Sequence, residues 1–167
     1  MKKKSGFTLL ELLVVILIIG ILAAVTLPEY QLAVDKARYA TLMDITRAIA
    51  ESNERFYMVN DKYATNFNEL DMDIQANSIS GGTLNFDWGH CDLYGQQEVQ
   101  CTNDTLLQNQ FIVHYDFDIG NPHLLVCTAK GEKENTKYDR ICKSIGKYSR
   151  TTTCAYLGRC RTHIVRR

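Results

Sequence analysis

The chain has 167 residues, and its 19 basic and 19 acidic residues give a formal net charge of zero. The residues that follow the first 27 are numerous enough to form one domain with a hydrophobic core of its own. The charge is unevenly spread, because residues 28–118 hold 15 acids and five bases whereas residues 119–167 hold 11 bases and three acids. This polarity suits head-to-tail or side-by-side packing of identical subunits. Two solvated faces of opposite charge on one globule are the alternative.

The N-terminus is a short basic leader followed by a long apolar run. Met1-Lys2-Lys3-Lys4-Ser5 precedes Gly6-Phe7-Thr8-Leu9-Leu10-Glu11, and residues 12–27 carry no charge. Residues 7–27 are about as long as the roughly 20 residues that a helix needs to cross a bilayer. The three lysines before the run predict a cytoplasmic leader. A cleavable secretory signal would have a shorter apolar stretch and a small-residue cleavage site after it, so we expect this segment to remain in the mature protein.

One carboxylate, that of Glu11, lies inside the apolar run. A lone carboxylate in hydrocarbon costs roughly 2.5–3.5 kcal/mol, so Glu11 is expected to have a partner, and nothing in its own run is cationic. A cut after Gly6 would place the new α-amino group of Phe7 one helical turn away, and a neighbouring chain's amino terminus would serve equally in an assembly. A Glu11 side chain that snorkels from near the helix end is the alternative.

The run from Lys2 to Ile16 resembles the N-terminal signature of type IV pilins and of the related secretion pseudopilins. The resemblance implies that residues 1–6 are a leader removed by a prepilin peptidase, which cuts between Gly6 and Phe7 and methylates the Phe7 amine. It implies that Glu11 neutralises a neighbouring subunit's amine and sets the register during filament assembly. It also implies an α+β pilin fold, in which a long N-terminal helix packs on a C-terminal antiparallel sheet with disulfide-stapled loops.

We predict one continuous helix over residues 7–57, with a hydrophobic transmembrane and assembly part (7–28) and an amphipathic part (29–57). Gly20 and Pro28 should weaken it, since glycine costs about 1 kcal/mol and proline about 3 kcal/mol in a helix interior. The resemblance implies that this stretch can kink or melt locally on assembly, and a static kink is the alternative. The predicted buried stripe is a set at three- and four-residue spacing: Tyr30, Ala33, Val34, Ala37, Thr41, Ile45, Ala48, Ile49 and Phe56.

The remainder of the head domain (29–167) is predicted as a connecting loop and a sheet. The loop covers residues 58–83 and contains a short helical turn over 66–70, and residues 84–167 form the sheet and the C-terminal loops. Period-two alternation and turn residues predict strands over 84–88, 93–100, 111–118 and 123–128, with a final strand over 163–166.

Six cysteines follow the anchor, and an even count in an exported domain predicts three disulfides in an oxidising compartment. The sequence alone allows 15 pairings, of which sequential pairing is the simplest, and free buried thiols are the alternative. The resemblance supports the pair Cys127–Cys142. The phrase Arg140-Ile141-Cys142-Lys143 is similar to a pilin segment that a disulfide ties back to a preceding strand. The sequential pairs are Cys91–Cys101, Cys127–Cys142 and Cys154–Cys160.

The remaining clusters of histidine, cysteine, aspartate and basic residues do not predict a catalytic site, a metal site or a cofactor site. His90-Cys91 lacks zinc-ligand spacing, and Asp71-Met72-Asp73 lacks the further ligands of a calcium site. There is no phosphate-binding glycine loop or nucleophile elbow, and the predicted disulfides would consume the thiols of any Cys–His pair. A basic C-terminal set would attract DNA or the acidic half of a neighbour, and a solvated basic face is the alternative. This set is Lys143, Lys147, Arg150, Arg159, Arg161, Arg166 and Arg167.

Taken together, the resemblance implies a structural subunit of a type IV pilus that supports adhesion, motility or DNA uptake. Its partners would be other pilins in a homo-oligomer or mixed polymer, the prepilin peptidase, the assembly machinery and the inner-membrane lipid, with DNA only weakly indicated. The head would lie in the periplasm before assembly, and the polymer at the cell surface. Two alternatives stay open: a pseudopilin of a type II secretion system, which would remain periplasmic, and an exported binding module with a permanent membrane anchor.

Overall fold

The computed structural model describes residues 7–95, 98–103, 111–116, 124–131, 133–144, 146–154 and 158–165. The chain divides into two compact units, Met1–Lys36 and Ala37–Arg167. One helix contributes residues to both units, and the second unit contains the sheet. Gly6 and the rest of the predicted leader lie outside the described residues.

Helix α1 runs from Leu9 to Asn60, which confirms the predicted long helix, although it begins two residues and ends three residues later than predicted. It is unbroken at Gly20 and contains Pro28, so no melted segment separates its two halves. The Thr26 hydroxyl donates to the Leu22 carbonyl over 3.0 Å, and Pro28 has no N–H to offer the carbonyl of Ala24. Backbone hydrogen bonding is therefore reduced at the place where the sequence predicts a weak helix.

The buried face of α1 in the second unit is not the predicted stripe. Ala37, Thr41 and Ala48 are exposed, and of the predicted positions in this unit only Ile49 is fully buried. The prediction was wrong because apolar and small residues surround this part of the helix, while the buried face includes polar side chains that hydrophobicity does not identify. The buried residues are Tyr39, Leu42, Thr46, Ile49, Ala50, Ser52 and Asn53.

The connection after α1 contains the predicted helical turn, a 3-10 turn at Phe67–Glu69. The Asn66 side chain accepts from the Asn68 N–H, and the Glu69 carboxylate accepts from the Asn66 N–H at 3.3 Å. This reciprocal capping fixes the turn and buries Phe67. The prediction over 66–70 is therefore confirmed.

The second unit contains one eight-stranded antiparallel sheet in the order β1-β2-β3-β4-β5-β6-β8-β7. Helix α2, Lys137–Lys143, lies between β6 and β7 in the chain. The strands are β1 (Ser78–Ser80), β2 (Thr83–Phe86), β3 (Gly89–Leu93), β4 (Glu98–Thr102), β5 (Phe111–Asp116), β6 (Leu124–Lys130), β7 (Gly146–Cys154) and β8 (Gly158–Val165).

The strand predictions are partly confirmed. The strands over 84–88, 111–118 and 123–128 correspond to β2, β5 and β6, although residues 117, 118 and 123 lie outside the described part. The strand predicted over 93–100 was wrong, because a turn after Leu93 separates β3 from β4. Strand β1 lies where a loop was predicted. The strand predicted over 163–166 overlaps the end of β8, which pairs with β7, and residue 166 lies outside the described part.

Within the part of the chain that the structure describes, two disulfides lie in the core of the second unit. Cys91 and Cys101 face each other across β3 and β4, and Cys127 on β6 is bonded to Cys142 on α2. Both bonds match the sequential pairing. Cys160 is also disulfide-bonded, whereas the side chain of Cys154, its predicted partner, lies outside the described part.

Replacing Gly89 by alanine is expected to destabilise the second unit by about 1–3 kcal/mol, the usual cost of overpacking. A Cβ atom at this position would lie 2.3 Å from the Thr102 carbonyl oxygen, which the sheet holds in place. Urea denaturation of the full mature chain in mild detergent measures the loss. Gly20→Ala is the matched control, since a Cβ there meets nothing within 4 Å, and equal stability of the two variants would contradict the prediction.

Candidate functional site

The first half of α1 exposes an almost uninterrupted apolar surface. Phe7 is 75% exposed and Leu9 81%, and every large apolar residue from Leu12 to Leu27 is exposed. This part of α1 is long and apolar enough to cross a membrane. Exposed apolar surface on this scale is unfavourable in water, so lipid or other helices must cover it.

Glu11 is the acidic residue of this surface, and its carboxylate binds the N-terminus of its own helix. The Thr8 backbone N–H and the Thr8 hydroxyl each donate to Glu11 Oε2 over 2.8 Å. The Glu11 N–H in turn donates to Thr8 Oγ1 over 3.3 Å. These contacts form a capping box, in which residues three apart satisfy each other's free backbone donors.

The capping box was missed at the sequence level, although Thr8-Leu9-Leu10-Glu11 fits its Thr-x-x-Glu signature. A cationic partner was expected for Glu11, and the apolar run contains no cation. The structure supplies a neutral partner for one carboxylate oxygen within the same chain. Oε1 has no contact in this box, so the carboxylate keeps the capacity to accept from a second donor while its position is fixed.

A shallow groove lies on the same apolar surface, C-terminal to Glu11 along α1. Gly20 is open to solvent, with no atom within 4 Å of where its Cβ would be. The lining residues are Leu13, Ile16, Leu17, Gly20, Ile21 and Ala24. Small residues flanked by large apolar ones let a second helix approach closely. The groove is therefore suited to helix packing rather than to a small polar ligand.

A buried charged cluster joins α2 to the C-terminal strand. Asp139 Oδ1 lies 2.8 Å from Arg161 Nε and 2.8 Å from His163 Nε2, and Oδ2 accepts from the Asn135 N–H over 2.8 Å. Burial opposes the charged form of Asp139, but these three donors outweigh it and lower the pKa of the carboxyl group. Cys127 is paired with His163 across β6 and β8, so the cluster and the Cys127–Cys142 disulfide lie side by side.

In the acidic segment Asp71-Met72-Asp73, which was considered for calcium, the Asp71 carboxylate binds side chains of the same chain. The Asp71 carboxylate accepts from Ser52 Oγ over 2.6 Å and from both Nε and Nη2 of Arg55 over 2.9 Å. These bonds tie the connection to the end of α1. Within the described residues, no group of three His, Cys, Asp or Glu side chains is placed to hold a metal ion.

The pKa of Asp71 is expected to be about 2, against an ordinary 3.8, because Arg55 and Ser52 donate to the ionised form. The interaction therefore favours the folded state above pH 4 and is lost as the pH falls toward 2. Carboxyl-detected NMR titration of the mature chain measures this pKa. The Arg55→Gln variant should bring it back toward its ordinary value, and an unchanged value in that variant would contradict the assignment.

The other predicted candidates do not converge on a site. The Cys91 thiol is consumed by its disulfide, and neighbouring His90 Nε2 lies 3.3 Å from Asp92. In the basic set, Lys143 pairs with Glu134 and Arg161 with Asp139, whereas Lys147 and Arg159 are exposed. The side chains of Arg150, Arg166 and Arg167 lie outside the described part.

These features define a protein with an exposed apolar N-terminal helix and a disulfide-bonded α+β unit. Residues 1–27 match the family model described as the prokaryotic N-terminal methylation motif. The chain is 47% identical over 51 residues to a "Fimbrial protein" of Pseudomonas aeruginosa, which covers 30% of this chain and 29% of that protein.

Two further relatives extend the comparison. The chain is 26% identical over 91 residues to the "Type IV major pilin protein PilA" of Myxococcus xanthus, covering 54% of this chain and 41% of that one. It is 36% identical over 62 residues to the "Type II secretion system core protein G" of Pseudomonas aeruginosa, covering 37% and 44%. The chain thus spans less than half the length of each of these relatives. No solved structure matches it significantly.

The matches confirm the resemblance to type IV pilins and secretion pseudopilins, and the family model places its match at residues 1–27. The long apolar helix, the antiparallel sheet and the disulfides agree with the α+β architecture that the resemblance implies.

Proposed function

We propose that this chain is a structural subunit of a type IV pilus, which polymerises through its N-terminal helix. The observation that carries the proposal is an exposed apolar half-helix with one carboxylate fixed at its start. Such a surface is suited to membrane storage followed by burial among other helices. The work of the chain is assembly rather than catalysis.

Maturation is the first step of the proposal. A prepilin peptidase removes residues 1–6 by cutting between Gly6 and Phe7, and the new Phe7 amine is methylated. The match to the methylation motif over residues 1–27 supports this step. Before assembly, residues 7–28 lie in the inner membrane with the leader cytoplasmic and residues 29–167 in the periplasm, as the lysines of the leader favour.

Assembly then transfers the apolar segment from lipid to a bundle of identical helices. Removing apolar surface from water contributes about 25 cal/mol per Å², but lipid is already apolar, so helix association in the membrane depends on packing and polar contacts. The open Gly20 groove supports close packing. The pairing of Glu11 with a neighbour's Phe7 amine supplies the register, and the pilus machinery would supply the energy of extraction.

A secretion pseudopilus is the second candidate, because a type II secretion core protein G is among the relatives. In that role the chain would form a periplasmic polymer. The same helix and the same Glu11 would act in both assemblies, so the helix does not discriminate between them.

Deletion of the chain's coding sequence in its host separates the two candidates. A pilus subunit predicts surface fibres that contain the chain, are recovered by shearing and disappear on deletion. Loss of exported proteins with surface fibres unchanged would favour the pseudopilus. A chain that stays in the membrane with residues 1–6 attached would exclude both and favour a permanently anchored binding module.

A further inference from the structure

The second unit separates its charges more sharply than composition suggests. Residues 63–129 contain nine acidic residues and no lysine or arginine, whereas residues 130–167 contain 11 basic and three acidic residues. The boundary falls at Lys130, the last residue of β6.

The strand order converts this separation along the chain into a separation in space. Strands β1 to β4 occupy one end of the sheet, and β8 and β7 occupy the other. We call the first the acidic end, which includes exposed Asp73 before β1 and exposed Asp87 after β2. The basic end includes exposed Arg140 on α2 and exposed Lys147 on β7, which is the edge strand.

The two ends cannot neutralise each other within one molecule. At about 4.8 Å per strand, an eight-stranded sheet is roughly 34 Å wide, whereas the Debye length at physiological ionic strength is about 8 Å. Some charges are paired locally, as Asp71 is with Arg55 and Lys143 with Glu134, and the surplus charge of each end can meet the opposite end only on another molecule. Each end has a counterpart of opposite sign and comparable charge on another copy of the same chain. This complementarity favours a second copy as the binding partner over an unrelated polyanion.

We propose that the acidic end of one subunit contacts the basic end of the next. The head domains would then lie side by side and contact each other through two different surfaces. This inference rests on the proposed polymer. A contact between two different surfaces of identical subunits does not close on itself unless its rotation closes a ring, and it otherwise continues as a helical filament. The head contact thus adds a salt-sensitive, directional interaction to the apolar contact of the helices.

Charge reversal of the full chain in its host tests the contact. The basic-end variant is Arg140→Glu with Lys147→Glu, the acidic-end variant is Asp73→Lys with Asp87→Lys, and the rescue variant combines all four. Each reversal alone should lower the fibre recovered by shearing about tenfold at equal chain level, because the two reversed side chains repel the facing end where the original side chains attracted it. The rescue variant should recover to within about twofold of the unmodified chain, since every reversed charge again meets its opposite.

A matched control swaps two exposed charges of α1 that belong to neither end, Asp44→Arg with Arg47→Asp. The swap preserves the net charge and leaves both ends as they are, so fibre yield should not change. Unchanged fibre yield in either single-end reversal, or failure of the rescue variant, would overturn the proposed head contact. Fibres that contain the wild-type chain would at the same time support the proposed function. Absence of the wild-type chain from fibres would instead refute the proposed function. If the basic-end variant lost binding to added duplex DNA with fibre yield intact, the basic end would serve a nucleic acid, and the proposal would be wrong.

Discussion

Glu11→Gln should reduce the assembled polymer by at least about tenfold while leaving the membrane pool of the chain intact. In the proposed polymer the carboxylate meets a neighbour's amine among apolar helices, and removing one partner of a buried ion pair costs about 3–5 kcal/mol. Glutamine has nearly the same shape as glutamate and still accepts from Thr8, so the capping box survives the change. The measurement is the ratio of sheared fibre to membrane-bound chain.

Thr8→Val is the matched control for the capping role. It removes the hydroxyl that bonds Glu11 but keeps the carboxylate, and the lost cap should cost only about 1 kcal/mol. Fibres should therefore still form. If Glu11→Gln polymerised normally, or if Thr8→Val failed as severely as Glu11→Gln, the carboxylate would act as a helix cap and not as the partner of an amine.

Asp139→Asn should lower the free energy of unfolding of the second unit by about 3 kcal/mol or more. The Asp139 carboxylate is 1% exposed and faces Arg161, 12% exposed, and buried His163. Breaking a buried pair leaves a charge without compensation in a poorly solvated place. Urea denaturation of the mature chain in mild detergent measures the effect.

Glu134→Gln provides the comparison, since it breaks the exposed Lys143–Glu134 pair near the same helix. Exposed pairs contribute little, so this variant should unfold almost as the unmodified chain does. Because the pKa of Asp139 is lowered in the folded state, its stabilisation is present above its ordinary pKa and is lost as the pH falls through the folded value. Equal stability of Asp139→Asn and Glu134→Gln would contradict the structural role of the cluster.

Local sequence signals predicted the N-terminal half of the fold well. The apolar run, the lysines before it and the residues around Glu11 are contiguous, so length and hydrophobicity suffice to identify the helix. The turn at Asn66 was likewise predicted from neighbouring residues, and its capping is local. The partner of Glu11 is also local, but it is the neutral hydroxyl of Thr8 and not the expected cation.

Features that depend on distant residues were not predictable in this way. Asp139 and His163 are 24 residues apart, and no spacing rule connects them. Strand β7 is rich in threonine and charged residues, so it lacks the apolar alternation that identified β5. The buried face of α1 includes Thr46 and Asn53, and the Asn53 side chain accepts from the Ala64 N–H, which satisfies its buried oxygen. Only the folded chain reveals that contact.

Intact mass spectrometry of the chain recovered from its host, before and after reduction, tests the central claim most directly. The account predicts a chain that begins at Phe7, carries one methyl group on its amine and gains the mass of six hydrogens on reduction, one pair for each of three disulfides. A mature chain that begins at Met1, or one that begins at Phe7 without the methyl group, would contradict the proposed processing. In the first case Glu11 would also lose the amine on which the proposed assembly depends.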